Sequence, residues 1–588
     1  MTTVPQDTTA SPGGPTKIVS DTGPAKGAGS ARDGAVRVAL WSAIAAFVLA
    51  LTFRPYSNLS AFFLHRQDRW LLLAGAVVMA LACFRLPERA RLPAVRLRSL
   101  AFVAAALIIV TFAGHYWVLS SYDMSRDEQM ASFDAAVFAQ GHLAQHLPAL
   151  WRDHSDALNT LFMIPVPHRG AWISSYLPLN AGIRALLGTV ATPGLAGPLM
   201  TALGALALWG CVRRLWPDDH EAGFVALVLY AGSAQVLVMG MTSYAMPGHL
   251  ALNLCWLWLF LRQSRVSDLA ALMVGFVATG LHQPLMHQMF ATPFLFLLIL
   301  DRRWDRAVLY FIGYAVIGAF WLWWPHYIGP LLQAGSRAAE PQGNDFITRM
   351  VAALRDRDTM GLPDMVANLL RFIAWQHLLL VPLLLIGARL GRKERMAGAM
   401  VGGLVLTTLV MGAALPYQGH GFGYRYLHGL IGNAILLAIY GWKALGEERA
   451  QWRALLIRTT AATLIVIMPL QLWMAHAFYA PAAQVSGRIG SIAADYAVIG
   501  GADAPYANDL VFNPPKLDRR PVRLLRGELD DGAVATICAG HPSVALIGNG
   551  MLAPIATYYG FGHAVADEPN AVIAPRLARA GCVVRRVG

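Results

Sequence analysis

Charge is scarce in this sequence: only 14% of its 588 residues are Asp, Glu, Lys or Arg, against roughly 25% in a soluble globular protein. With 56% of the chain hydrophobic, no single water-soluble core can hide so much apolar surface, and the bilayer has to act as part of the solvent. The catalytic signatures that are easiest to read are missing too. There is no P-loop, no GxGxxG after a strand, no HExxH and no CxxC, so nucleotide hydrolysis and redox chemistry have no motif to rest on. No repeat of solenoid length is seen. The first apolar run starts near residue 36, too late for a cleavable signal peptide, and reads as a retained helix. Cysteine is sparse as well. Cys83, Cys211 and Cys255 lie in or beside apolar runs, where a thiol packs as a small hydrophobe. Cys538 and Cys582 are the only two in the hydrophilic C-terminal region. Outside the cytoplasm they could pair as a disulfide; two free thiols is the equal alternative.

The net charge of +13 is a topology signal rather than a nucleic-acid one. No zinc-finger, RNP-like or basic-helix pattern accompanies it, and no nucleic-acid partner is expected. Thirteen apolar runs lie at about 37–53, 70–84, 100–119, 193–212, 222–239, 247–261, 269–281, 284–300, 307–324, 366–388, 398–414, 429–442 and 459–476, which predicts a mainly α, polytopic membrane protein with about thirteen transmembrane helices. The loops at 85–98, 213–214, 262–265, 301–306, 389–395 and 443–453 each carry two to five basic residues and are therefore assigned to the cytoplasm. The short tips near 240–246, 282–287 and 415–428 hold one basic residue, Arg425.

This division gives the expected organisation. Residues 1–35, rich in Thr, Pro, Gly, Ser and Ala, read as a disordered cytoplasmic tail. Residues 36–480 form the transmembrane domain. Its large outer loop at 120–192 carries two amphipathic segments, expected to lie in the membrane interface. A second outer loop spans 325–365. In residues 490–588 the short runs YAVIGG, DLVFNPP, VATICAG, SVALIGNG and CVVRRVG read as β-rich, alternating with helical patterns at 551–559 and 573–580. The expectation is a small extracytoplasmic α/β domain.

Chemistry-bearing residues gather on the outer side. SRDEQ at 125–129 is a capping box, Ser-x-x-Glu before an apolar-periodic helix. Capping occupies Ser125 and Glu128 and leaves Asp127 free as a general base; Asp123 and Asp134 are weaker candidates. QGHGFGYRYLH at 418–428 interleaves glycines, which let backbone approach a ligand, with Arg425, whose guanidinium suits a phosphate. His420, Tyr424 and Tyr426 flank it as substrate-binding candidates, an aromatic belt with a snorkelling Arg being the structural alternative. His249 in SYAMPGHL and His282 and His287 in LHQPLMHQ are candidate hydrogen-bonding groups for a phosphate or sugar. The spacing of the latter two is not a helical ligand pair, and no carboxylate is placed beside them for a metal.

An acidic motif in the first large outer loop, short polar tips, and a late outer Arg-Tyr tip before a soluble outer domain together resemble the GT-C superfamily of membrane glycosyltransferases, which includes protein O-mannosyltransferases and aminoarabinose transferases. The resemblance implies an inverting transfer from a polyprenyl-phosphate sugar to a glycan, lipid or protein acceptor outside the cytoplasm, in a bacterial inner membrane. It implies Asp127 as base, Glu128 as its partner in the acidic motif, and Arg425 on the departing phosphate. The lipid-linked sugar donor is the one co-substrate it implies; no cofactor is assigned, and a divalent cation stays open. About two extra spans precede the acidic loop here, and Arg-Asp-Glu-Gln matches no one subfamily, so the sugar and the acceptor stay open. The other class is a transporter or flippase of lipid-linked sugars. It would place ionisable groups near the bilayer midplane, whereas the polar groups here gather at the outer tips.

Overall fold

Apolar segments in a bilayer must satisfy their own backbone groups, and helices do so within one segment. Each of the thirteen apolar runs is helical in the structure, a computed structural model that describes residues 34–87, 90–334, 361–561 and 568–588. The expected tail at 1–35 lies outside the described residues up to its last two positions, as does 335–360 of the expected 325–365 loop.

The chain opens with a helical hairpin, α1 (Gly34–Thr52) packed on α3 (Arg69–Ala82), with the short α2 (Asn58–Phe63) at its turn. Next come α4 (Leu97–Trp117) and the first large loop. That loop holds α5 (Arg126–Phe138), a two-residue antiparallel ribbon of β1 (Gln145–His146) and β2 (Ala171–Trp172), and α6 (Leu179–Val190). The helical body runs through α7 (Ala196–Leu215), α8 (His220–Ala231), α9 (Ala234–Met241), α10 (Met246–Phe260), α11 (Arg265–Thr279), α12 (Leu285–Leu300) and α13 (Trp304–Ile328). It continues with α14 (Gly361–Ala374), α15 (Leu380–Ala388), α16 (Arg395–Ala414), α17 (Ile431–Ala444), α18 (Arg449–Ala462) and α19 (Met468–Gly490).

Among the described residues, five helical segments are long and apolar enough to cross a membrane, and a sixth qualifies if the α8–α9 pair, bent by 54°, counts as one span. Phe102, Ile109, Val316, Leu409 and Ile465 are exposed on such segments, as lipid-facing side chains would be. The chain is thus a mainly α, integral membrane protein. At the α8–α9 break, Ser233 caps α9 by accepting from the Val236 N–H at 3.2 Å. Where α15 crosses α17, Gly387 and Gly441 face backbone carbonyls of the opposite helix at distances a Cβ would not tolerate. Small residues at such crossings let helices touch in an environment with no hydrophobic drive between them.

After α19 come β3 (Tyr496–Ile499), β4 (Val522–Leu525), α20 (Asp531–Cys538), β5 (Ser543–Ile547), α21 (Asn549–Tyr559), α22 (Glu568–Arg579) and β6 (Val583–Val587). The four strands make one parallel sheet in the order β4-β3-β5-β6, with Tyr496 registered against both Val522 and Val544. Two sequence expectations change here. VATICAG lies largely in α20, because Asp530 caps a helix by accepting from Ala533 N–H at 2.6 Å. DLVFNPP follows a 3-10 turn and forms no strand. A bond joins Cys538 to Cys582, resolving the alternative in favour of the disulfide.

The first large loop and this sheet share one core. Met130, Phe133, Val137, Trp151 and Trp172 are buried together with Val498, Leu524, Val534 and Ile537. The apolar face of α5, expected at the membrane interface, is therefore covered by protein. On α6, Leu186 and Val190 are exposed.

Candidate active site

The site begins at the N-terminus of α5. Ser125 Oγ accepts from the Glu128 N–H at 3.3 Å, and Glu128 Oε2 accepts from the Ser125 N–H at 3.2 Å, completing the capping box. Tyr479 on α19 donates its hydroxyl to the same carboxylate at 2.9–3.0 Å. Burial and the nearby Asp123 push the Glu128 carboxyl up to about 8, against the opposing hydrogen bonds from Ser125 and Tyr479. Glu128 thus faces the protein interior and anchors the helix start.

Asp127 points the other way. Its Oδ2 accepts from Arg425 Nη1 at 2.5 Å, and its Oδ1 accepts from the Tyr176 hydroxyl. Burial works to raise this carboxyl, but Arg425, His282 and Tyr176 outweigh it and hold it below the usual carboxylate range. Arg425 stays cationic although buried, because Tyr244, Asp127 and Tyr426 surround it. The two residues are 298 positions apart in the chain.

The tip is built to present Arg425. Gln418 accepts from the Arg425 N–H with Oε1 at 2.9 Å, donates Nε2 to the Gly423 carbonyl at 3.0 Å, and takes an Arg425 Nη2 hydrogen bond on its own carbonyl. Gly421 and Gly423 have φ of 136° and 63°. A side chain at Gly423 would also collide with Gln235, so glycine is needed there on both counts. Gln235 Nε2 then donates to the Tyr424 carbonyl at 2.9 Å and accepts from Gln376 at 2.7 Å, and Arg371 donates to the Gly421 carbonyl. Arg425 lies 5.0 Å over the Tyr244 ring and 5.8 Å from that of Tyr426. Its Nε, like that of Arg371, is buried with no acceptor among the described residues, so each guanidinium has one donor unpaired.

The other sequence candidates divide. His282 stacks on Tyr176 with ring centroids 4.1 Å apart. Burial takes it down to about 4, so it is a neutral imidazole, and neither ring nitrogen has a partner among the described residues. Asp127, Tyr176, His282, Asn180, Tyr244 and Asp134 line one small pocket. Asp134 accepts from the Ser174 N–H at 3.1 Å and from its hydroxyl at 2.5 Å, tying the second half of the loop to α5. Asp123 accepts from Ser132. His420, held neutral by burial at about 4, bonds Tyr559 at 3.2 Å. Tyr426 is buried beside Arg425. Tyr424 is fully buried, its hydroxyl 3.4 Å from the Met365 sulfur, and packs rather than faces the pocket. His287 is spent on Asn253 and Tyr314, each at 2.7 Å. His249 is buried with both ring nitrogens unpartnered among the described residues, outside the pocket lining. Sequence reasoning missed Tyr176, Gln418's clamp, Tyr244, Gln235 and Tyr479. Among the described residues no group of three or more His, Cys, Asp or Glu could hold a metal ion.

No family model matches the chain, and no curated protein matches it. Solved structures similar to it include two of one protein. The crystal structure of ArnT from Cupriavidus metallidurans bound to undecaprenyl phosphate aligns over 78% of this chain and 87% of ArnT, at 12% identity and a TM-score of 0.48. The apo state of the same protein aligns over the same shares, at 14% identity and a TM-score of 0.36.

Proposed function

We propose that this chain is an inverting membrane glycosyltransferase of the GT-C kind, moving a sugar from a polyprenyl-phosphate donor to an extracytoplasmic acceptor. The observation that carries the reading is the buried contact between Asp127 and Arg425 at the edge of a pocket. A base and an anion-binding cation side by side are what such a transfer asks for. The acceptor O–H gives its proton to Asp127 as its oxygen bonds to the anomeric carbon. The bond from that carbon to the phosphate oxygen breaks, and the lipid phosphate leaves with the electron pair, stabilised by Arg425 and its spare Nε–H. Tyr176 and His282 hold and screen the carboxylate. Glu128 acts through position, by fixing the start of α5.

In this reading the two partners are also coupled. Arg425 keeps Asp127 ionised but lowers its basicity. An arriving phosphate competes for the guanidinium, and Asp127 becomes the stronger base as the donor binds. The donor class comes from the motif resemblance. The loop charges support thirteen crossings, with the N-terminus in the cytoplasm and the acidic loop, the tip and residues 490–588 outside a bacterial inner membrane.

The test is transfer from a radiolabelled polyprenyl-phosphate sugar to crude envelope acceptors by purified protein. Asp127→Asn should lower turnover about 10²–10⁴-fold with an unchanged unfolding midpoint. Full activity in that variant would move the base elsewhere. Absence of transfer by the wild type with every donor tried would favour the transporter instead.

A further inference from the structure

Beside the catalytic pocket lies a second, larger cavity of about 440 Å³, within the size range of small-ligand sites. Its walls come from regions far apart in the chain: α2, the approach to α5, the Arg425 tip, α19, the stretch between β3 and β4, and α21 with the residues just after it. Three properties of the lining restrict what can fill it.

First, no Lys or Arg lines it, while Asp509 does. The Asp509 carboxylate makes no hydrogen bond or salt bridge to any described residue, its backbone carbonyl alone accepting from Gln129 at 2.8 Å. A phosphate would meet that carboxylate with no cation in the wall itself; Arg126, which acts on Asp509 from outside the lining, is taken up by Gln129 and the Asn159 carbonyl. Second, the walls are aromatic. Tyr506 and Phe561 stack at 5.3 Å and 21°, and Phe62 packs against Tyr559 at 5.1 Å. Third, polar groups punctuate those rings. The hydroxyls of Tyr417 and Tyr506 have no hydrogen-bond partner among the described residues, so they add to the demand set by Asp509. A polyprenyl chain would cover the rings and leave the carboxylate and phenols unmatched, which is costly. A sugar ring has an apolar C–H face for the aromatics and a rim of hydroxyls for the rest.

The cavity also stands next to the proposed chemistry. Tyr244 lines the catalytic pocket under Arg425 and donates its hydroxyl to the His420 carbonyl at 3.3 Å, and His420 lines the larger cavity. Gln129, which holds Asp509, is two residues from Asp127.

We infer that this cavity is the acceptor subsite and that it binds an uncharged or cationic saccharide, gripped by Tyr506, Phe561 and Asp509. The inference rests on the transferase reading for the word acceptor, but the saccharide site can be tested without it.

The experiment is saturation-transfer NMR on the full-length protein in nanodiscs, with methyl hexopyranosides and a methyl amino-sugar glycoside as probes and a short peptide and inorganic phosphate as controls. The expected result is saccharide signal in the wild type, about tenfold weaker binding in Tyr506→Ala and Asp509→Asn, and partial recovery in Tyr506→Phe, which restores the ring and not the hydroxyl. If Tyr506→Ala does not fold, Asp509→Asn decides. In transfer assays both variants should raise the acceptor KM and leave kcat near the wild-type value. Saccharide signal that survives both substitutions, or a peptide or phosphate signal in its place, overturns the inference. Transfer by a wild type that shows no saccharide signal overturns it too and leaves the transferase reading standing. Saccharide binding without transfer from any donor retains the sugar site and removes the transferase.

Discussion

Asp127 and Glu128 share a peptide bond, yet their surroundings push their protonation in opposite directions. For Glu128 the folded state holds its proton up to about 8, above the ordinary carboxyl range. That contribution to stability is fully present at low pH and is lost as pH rises from the ordinary carboxyl range through about 8. Glu128→Gln stays neutral and keeps the capping box. Its denaturant midpoint should match the wild type on the acid side and exceed it on the alkaline side; parallel pH curves would refute this. Glu128→Ala leaves the Tyr479 hydroxyl and the Ser125 N–H without their acceptor and should cost about 1–3 kcal/mol. For Asp127 the folded value is depressed, so its contribution is present above the ordinary carboxylate value and is lost as pH falls through the folded one. The wild-type rate should therefore show no acid limb above the usual carboxylate range. In Arg425→Gln burial acts on Asp127 with its main counterweight gone. The acid limb of the residual rate should move to higher pH, and an unmoved limb would separate the two residues.

At the scale of elements, the C-terminal sheet is pinned by a crosslink between the end of α20 and the start of β6, 44 residues apart. A crosslink of that span typically contributes about 2–4 kcal/mol. Unfolded without reductant, the chain should take alkylating label only on Cys83, Cys211 and Cys255, and on all five cysteines after reduction. Label on Cys538 in the unreduced chain would contradict the bond. The elements also show where local pattern is informative and where it fails. SVALI and CVVRRV are strands as their β-branched runs suggest, and each apolar run is a helix, because both signals are carried by neighbours in sequence. VATIC has the same composition as a strand, but the Asp530 cap commits it to a helix. The site follows the same division. Asp127 and Arg425 stand out by residue type and loop position, and Ser125-x-x-Glu128 announces its own cap. Tyr176, Tyr244, Gln235 and Tyr479 carry no such mark, since their partners lie at the far ends of contacts that only the folded chain creates.

For the whole molecule, orientation is the property most directly open to measurement. Basic loops at 213–214 and 443–453 and the exposed stretch near 502 should face opposite sides. In intact cells, a cysteine at Ala502 should react with an impermeant maleimide, and one at Asp218 only after permeabilisation. The reverse pattern would invert the topology. Two stretches far apart in the chain also meet. Phe62 packs on Tyr558 and Tyr559, and Gln67 donates to the Tyr558 hydroxyl at 3.2 Å. The second core likewise joins the loop after α4 to strands made last. Synthesis runs from the N-terminal side, so the first hairpin waits without these neighbours until α21 has been made. A chain cut short after α19 would lack the partners that cover Phe62 and the apolar face of α5, leaving both open.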